Sequence, residues 1–434
     1  MRLHETNDTG ALPPVFVMNT YYTGIGIARN LYGYGIEVCG LSSEADAPGV
    51  RSRFFKRIYR VPNDRDEPES LCRQLLELRR QHNADPVIFP TRDFDVMFLE
   101  NYRRRLEPLY RIPQNPAAEH LLDKLSLFKL AKDNDIAVPE TRVCSSLEEI
   151  DREARTMRFP LVVKPRVAAQ WRRKGAWSAV GARKAFLVES AEELRAQYTQ
   201  ISSISPEVMI QEYVNGDDTD IAVCCGFMDA EHELTAHFTA RKLRQNPPLF
   251  GTGCAVETVD IPEIVPIAKR LLKAARYTGI AEVEFKRDCS NGKWFLIEVN
   301  PRHWDQHEIG THIGVNLSLI AYEHTVGRPI HRAAVSPKPV PQFRWIAETE
   351  VLWSVLRNGY GRFQQSGRSG SLMRQLQTHY WTVRDISREI FFLLRGRKVF
   401  AIFHRRDPIP GILLCFRTAR ELGWKLARSW QHEN

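Results

Sequence analysis

The 434-residue chain is 43% hydrophobic and 26% charged, and its 61 Lys and Arg outnumber 52 Asp and Glu for a formal charge of +9. That composition excludes an extended disordered chain, and the length exceeds one ordinary core, so about two to four domains are expected. The basic excess suits anionic ligands such as nucleotides or acidic lipids without choosing among them.

The opening "MRLHETNDTGALPP" has no apolar core behind its basic residue and does not read as a secretory signal. No apolar run approaches the roughly 20 residues that span a bilayer. The eight cysteines are scattered and form no C-x-x-C pair, which fits a reducing cytoplasm better than a disulfide framework or a zinc site. A cytoplasmic location is therefore expected, with the inner face of the membrane as a possible resting place.

From Pro14 to about Arg111, short apolar strands ("PVFVMN", "IEVCGL", "PVIFPT") alternate with helical stretches, the pattern of a parallel α/β layer. Gly24 and Gly26 suggest a dinucleotide turn, but Arg29 takes the third glycine's place and no acidic residue closes the second strand. A tight strand-to-helix turn is the better reading. In "FPTRD", Arg92 follows a strand and points to the crevice where such sheets bind ligands. A substrate carboxylate and a surface ion pair are both open to it.

"LLDKLSLFKLAKDNDIAVPET" reads as a helix running into an extended segment, and "FPLVVKP" as a buried strand ending on Lys164. A long polar loop with Arg172, Arg173 and Lys174 follows, then the strand "AFLVES", a helix at "AEELRAQYTQI" and the strands "EVMIQEYV" and "TDIAVCCGFM". From about Ser336 the chain changes character, with a linker-like "SPKPVPQ" and then helical patterns to the end. The last helix sets Ile412, Phe416, Ala419, Leu422, Leu426 and Trp430 on one face, beside Arg417, Arg420, Lys425 and Arg428. Such a basic amphipathic helix lies on an acidic membrane, on a partner or on its own domain.

The most informative stretch is "AEVEFKRDCSNGKWFLIEVNPR", two strands about the turn signal Asn291-Gly292. A register centred on Asn291 sets Glu284 opposite Glu298 and Glu282 opposite Asn300. Opposed like charges are destabilising, so paired carboxylates there call for a cation between them. Two carboxylates and an amide favour magnesium over softer metals. A solvated edge hairpin is the alternative, but the apolar neighbours would bury its charges uncompensated. The cations Lys124, Lys164, Arg241 and Lys242 supply the other half of a triphosphate site that has no G-x-x-x-x-G-K-[ST] loop. His303 and His307 stand at helical spacing with no third soft ligand, which leaves a substrate contact or simple packing.

The order and spacing of Asp123–Lys124, "VVKP" around Lys164, "IQEYVNG" and the Glu284, Glu298, Asn300, Arg302 set resemble the ATP-grasp superfamily from about Pro14 to Arg328. "GDDTDI", "TARKLRQNPP", "FGTG" and "EFKRD" look like the carboligase branch that includes D-aspartate ligase. The resemblance implies an α/β protein: an N-terminal Rossmann-like pre-ATP-grasp domain (1–112), an ATP-grasp domain (113–335, lid about 125–214) and a mostly helical basic C-terminal region (336–434). It implies ATP and Mg2+ as cofactors. Glu284, Glu298 and Asn300 would bind the metal, Lys124 and Lys164 the phosphates, Gln211, Glu212, Tyr213 and Val214 the adenine, and Asp218 or Asp220 the ribose. Arg302, with Lys242 and Arg241, would steady the transferring phosphoryl group, and Arg92, His303 and His307 are candidates for the substrate. The implied reaction joins a small-molecule acid to an amine through an acyl phosphate and releases ADP and phosphate. A phosphotransferase or carboxylase on the same fold, or a membrane-associated binding protein, is the alternative; no nucleic-acid partner is expected.

Overall fold

The structure, a computed structural model, describes residues 12–171, 175–181, 183–329, 338–355, 387, 391 and 395–432. Arg172, Arg173 and Lys174 lie outside the described residues, as do the side chains from 421 onward, so Leu422, Leu426, Trp430, Lys425 and Arg428 are not placed.

The first sheet is parallel, in the order β3-β2-β1-β4, from β1 (Val15–Val17), β2 (Val38–Ser42), β3 (Arg57–Arg60) and β4 (Val87–Phe89). Its inner strands are buried throughout, which is why they read as unbroken apolar runs. The edge strand β3, "RIYR", is half exposed and carries no such signal. The two glycines of the next helix (Tyr22–Leu31) serve close approach. A Cβ on Gly24 would lie 1.9 Å from the Asn19 carbonyl oxygen, and one on Gly26 would lie 2.8 Å from His307 Cε1. Those contacts support the tight-turn reading.

A second, antiparallel sheet runs β5-β8-β6-β7, from β5 (Thr141–Cys144), β6 (Leu161–Lys164), β7 (Phe186–Val188) and β8 (Val208–Glu212). Two of its helices, Leu147–Glu153 and Ala191–Ile201, start at Ser146 and Ser190, whose hydroxyls accept from the third backbone amide on. This sheet has a core of its own, around Leu161, Trp171, Leu194 and Ile210.

The largest sheet has seven strands in the order β13-β12-β9-β10-β11-β14-β15. They are β9 (Ile221–Met228), β10 (Leu234–Asn246), β11 (Thr252–Thr258), β12 (Gly279–Arg287), β13 (Trp294–Asn300), β14 (Phe343–Ile346) and β15 (Arg397–Phe400). In the β12–β13 hairpin, Glu284 faces Glu298 and Glu282 faces Asn300, the register the turn signal predicted; a bulge after Glu284 shifts the remainder by one residue. Beyond 336, the long helix Pro408–His432 is accompanied by two short strands: β14 pairs antiparallel with β11, and β15 pairs parallel with β14. One apolar core joins this sheet to the first, with Val17 and Phe89 in the same cluster as Phe227, Phe238 and Trp345. The C-terminal helix, Pro408–His432, buries Leu414 and leaves Ile409, Ile412, Leu413 and Phe416 exposed. Among the described residues no helix is long and apolar enough to cross a membrane.

Candidate active site

A cavity of about 320 Å³ opens between the four-stranded antiparallel sheet and the seven-stranded sheet. Period-two alternation brings its wall together, because β12 presents Glu282, Glu284 and Lys286 on one face and β13 presents Glu298 and Asn300. Lys164, at the end of β6, and Lys124, at the start of the helix Lys124–Asp133, face them across the gap. Arg302 and Arg92 line the end nearest the first sheet.

The site is a buried ionic network. Glu284 accepts from Lys242 Nζ at 2.6 Å, and both side chains are less than 10% exposed. Asn300 Nδ2 donates to Glu282 at 2.8 Å, while Asn300 Oδ1 accepts from Arg302 Nη2 at 3.0 Å. Arg302 is tethered to Asp93 at 2.7 Å, which fixes it to the first sheet's ligand-binding edge. Lys164 Nζ donates to Gln211 Oε1 at 2.7 Å, and Gln211 in turn donates to Thr141 Oγ1 at 2.8 Å.

Burial without a carboxylate partner pulls Lys164 down to about 7, with Lys124 nearby adding to the effect. Burial likewise pushes Glu282 up to about 8. Burial opposes charge on Glu298 as well, but Lys124, Lys242 and Lys184 outweigh it and hold the carboxyl below its usual range. Lys242 is held above its usual range against the same penalty by Glu284 and Glu298. Lys242 and Glu298 keep their charges in burial because opposite charges answer them.

Most of the sequence candidates meet here: Arg92, Lys124, Lys164, Gln211, Glu212, Tyr213, Val214, Lys242, Glu284, Glu298, Asn300 and Arg302 all line the cavity. In β8, the amides of Glu212 and Tyr213 are already engaged, donating to the carbonyls of Glu140 and Pro160. Five candidates are displaced. Arg241 alternates to the opposite face from Lys242 and binds Glu257, at 2.7 Å for the closest pair, so it is no partner of the phosphoryl group. Asp218 accepts from the amide and side chain of Gln245, both at 2.8 Å, and Asp220 closes the turn onto the Asp217 amide; neither lines the cavity. His303 and His307 are buried in the seam between the sheets, His303 edge-on to Phe89 and hydrogen-bonded to Ser318 Oγ at 3.1 Å. Burial holds both imidazoles below their usual range, so they are neutral packing groups and not substrate contacts.

The chain also brings to the cavity residues that the motifs did not flag. Lys286 lies 4.2 Å from the Tyr213 ring centroid, and Lys184 donates to Thr252 Oγ1 at 2.7 Å, tying the segment before β7 to β11. Alternation from Glu284 was enough to find Lys286. Lys184 follows the long basic loop, where no periodicity points inward.

The donor chemistry fits a hard divalent cation with phosphates. Glu284, Glu298 and Asn300 offer oxygen ligands, and Glu284 and Asn300 are now engaged by Lys242 and Arg302, side chains equally suited to phosphate oxygens. Among the described residues, no three His, Cys, Asp or Glu are grouped to hold a metal by themselves, so Asn300 and phosphate oxygens would have to complete the shell.

A second cavity, of about 410 Å³, adjoins the first and shares with it Thr91, Arg92, Thr252, Gly253 and Asp305. It lies beyond the carboxyl ends of β1, β2 and β4, where the strand order 3-2-1-4 reverses direction.

No family model matches the chain. It is 24% identical over 324 residues to D-aspartate ligase of Enterococcus faecium, covering 71% of this chain and 75% of that protein. Over 184 residues it is 24% identical to D-alanine–D-alanine ligase of Pseudomonas putida, covering 41% of this chain and only 54% of that one. Biotin carboxylase of Campylobacter jejuni, solved with a β,γ-ATP ligand, matches the fold with a TM-score of 0.60 at 16% identity over 74% of this chain and 72% of that one.

Proposed function

We propose that the chain is an ATP-grasp protein and an ATP-dependent carboxylate–amine ligase working through an acyl phosphate. The observation that carries this reading is the convergence of Lys124, Lys164, Lys242 and Arg302 with Glu284, Glu298 and Asn300 on one cavity, from elements spread over more than 170 positions of the chain.

In this reading the N-terminal sheet is the pre-ATP-grasp domain and the four-stranded lid closes on ATP. The β8 main chain holds adenine through the Glu212 carbonyl and the Val214 amide, since the other amides are engaged. Lys124 and Lys164 bind the phosphates. Glu284, Glu298 and Asn300 would hold Mg2+, which would supply charge neutralisation at the phosphates. A carboxylate oxygen of the acid attacks the γ-phosphorus, the bond to ADP breaks, and an acyl phosphate forms. Arg302 and Lys242 offset the charge of two anions brought together. The amine nitrogen then attacks the carbonyl carbon, inorganic phosphate leaves with the electron pair, and the amine gives up a proton. No covalent enzyme nucleophile is required.

D-aspartate and D-alanine, the acids in the matched relatives' names, head the set of acids to be tried. Hydroxylamine traps acyl phosphates as hydroxamates, so the test is ADP, phosphate and hydroxamate release in equal amounts when acids are offered with ATP and Mg2+. Release of a stable phosphorylated product that ignores hydroxylamine would instead favour a phosphotransferase.

The C-terminal helix carries a second, independent role. Exposed Ile409, Ile412, Leu413 and Phe416 recur at i, i+3, i+4 and i+7, with Arg405, Arg406 and Arg420 also exposed. That face suits an acidic membrane surface, to which each basic residue contributes about 1 kcal/mol. Co-sedimentation with vesicles containing phosphatidylserine should occur at low salt, reverse at high salt and be lost in Ile412→Ser/Phe416→Ser. Sedimentation of that double variant equal to wild type would rule the surface out.

A further inference from the structure

One cation of the first cavity stands outside its ionic network. Lys286 follows Glu282 and Glu284 on the same face of β12 and is only 8% exposed. Its ammonium lies 4.2 Å from the centroid of the Tyr213 ring, and among the described residues it has no hydrogen-bond acceptor and no ion-pair partner. The other two lysines buried in this wall each have one: Lys164 meets Gln211 at 2.7 Å, and Lys242 meets Glu284 at 2.6 Å. Register explains the difference, because the ladder partners of Lys286 are Ile221 on β9 and Phe295 on β13, both apolar. The carboxylates of Asp217, Asp218 and Asp220 act on its charge from beyond ion-pair distance. They are also engaged elsewhere: Asp218 accepts twice from Gln245, Asp220 from the Asp217 amide, and Asp217 from Thr219. The Tyr213 ring attracts the charge but leaves the N–H donors of Lys286 without an acceptor. Burying such donors is costly unless a ligand brings acceptors.

We propose that Lys286 is a nucleoside-selecting residue: its ammonium donates to an acceptor on the base or ribose of the bound nucleotide, and the site rejects a nucleoside that presents a donor there. The inference rests on the reading that ATP occupies the first cavity with its base against β8. Position separates Lys286 from the phosphate ligands. The alternation on β12 runs from Glu282, bonded to Asn300 beside Arg302, through Glu284 to Lys286. Lys286 therefore lies at the end away from Arg302, about 7 Å along the strand from Glu284. There it sits on Tyr213, which directly follows the last residue of β8 in the base-holding segment. An ammonium has three donors and no acceptor, so it discriminates by hydrogen-bond polarity as well as by charge. Adenosine presents acceptors in its ring nitrogens and its ribose oxygens, and both kinds reach this end of the cavity when the base lies on β8.

The test measures binding to the full chain, with adenosine and with ATP and Mg2+ as probes. In Lys286→Met the Kd of both should rise about tenfold, the loss expected when a charged donor is removed. Four analogues, 2′-deoxyadenosine, 3′-deoxyadenosine, 3-deazaadenosine and 7-deazaadenosine, each lack one acceptor. One of them should bind wild type about fivefold more weakly than adenosine does, with that penalty gone in Lys286→Met, and its identity tells whether base or ribose is read. Penalties that are the same in both proteins overturn the proposal. Loss of ATP affinity with adenosine unchanged would make Lys286 a phosphate ligand and overturn it equally. Denaturant unfolding of the unliganded protein gives a second readout. Lys286→Met removes a buried charge that has no partner, so its midpoint should equal or exceed that of wild type. A lower midpoint with unchanged adenosine binding would reduce the lysine to packing on Tyr213. Lys286→Leu, with the same expected results, replaces Lys286→Met if that variant does not fold. If nucleotides bind and no acid yields ADP, the ligase reading fails and Lys286 keeps its role. If acids yield ADP and Lys286→Met binds adenosine as wild type does, Lys286 alone fails. If neither adenosine nor ATP binds wild type, both fall.

Discussion

The two cavities share a rim and differ in how the chain builds them. The first is made largely from one hairpin and the ends of two lid strands, and its charged groups answer one another, as Glu284 and Lys242 do at 2.6 Å. The second gathers strand ends from residues 18 to 92 and segments from 246 to 350, and leaves a buried carboxylate oxygen without a partner. A site with internally compensated charge is assembled before its ligand arrives. The first is therefore expected to respond to substitution chiefly in rate and nucleotide affinity.

The largest expected effect lies in the first cavity. Glu298→Gln should lower kcat by about a thousandfold, comparable to removing one preorganised electrostatic group, while circular dichroism stays native. Near-wild-type ADP release by that variant would remove the carboxylate from the mechanism. Next comes a pair of neighbours. Lys242→Gln should lower kcat by about a hundredfold, and Arg241→Gln less than twofold, because the two alternate to opposite faces of β10. Comparable losses in the two variants would break the contrast between wall and outer face.

The third expectation is a pH dependence with a fixed sign. Lys164 is pulled down to about 7 by burial, so in the free protein it is charged below that pH and neutral above it. Phosphate binds the charged form, so nucleotide affinity should fall as pH rises through 7, and binding above pH 7 should take up a proton. Titration calorimetry in buffers of different ionisation enthalpy measures that uptake, and Lys164→Met should abolish it. Proton release in wild type above pH 7 would reverse the sign and exclude Lys164 as the linked group.

The smallest effect concerns the seam between the sheets. Gly26→Ala places a Cβ 2.8 Å from His307 Cε1, and overpacking of this kind costs about 1–3 kcal/mol. Denaturant unfolding should show that loss while kcat of the folded fraction is retained. A loss of activity without a loss of stability would return His307 to the substrate site.

Legibility in the sequence followed the same division. The facing of Glu284 with Glu298 was readable because a turn signal and period-two alternation fix a hairpin's register locally. Lys164 was readable from an apolar run closed by proline. Asp64, Asp305 and Glu350 were not, since no local pattern joins positions that meet only when separate sheets share a core. Strands β14 and β15 were hidden for a related reason: four residues each, supported by pairing rather than by propensity, give little signal amid helical patterns. His303 and His307 looked chemical because their spacing carries no information on burial, and the seam around Phe89 decided their role.

Identifying the nucleotide product tests the central claim most directly. With ATP, Mg2+, an accepted acid and hydroxylamine, phosphorus NMR of the wild-type reaction should show ADP and inorganic phosphate rising together, in step with hydroxamate. Appearance of AMP and pyrophosphate would mean that the acid is activated by adenylation, and would contradict a site in which Lys124, Lys164, Lys242 and Arg302 converge on transfer of the terminal phosphoryl group.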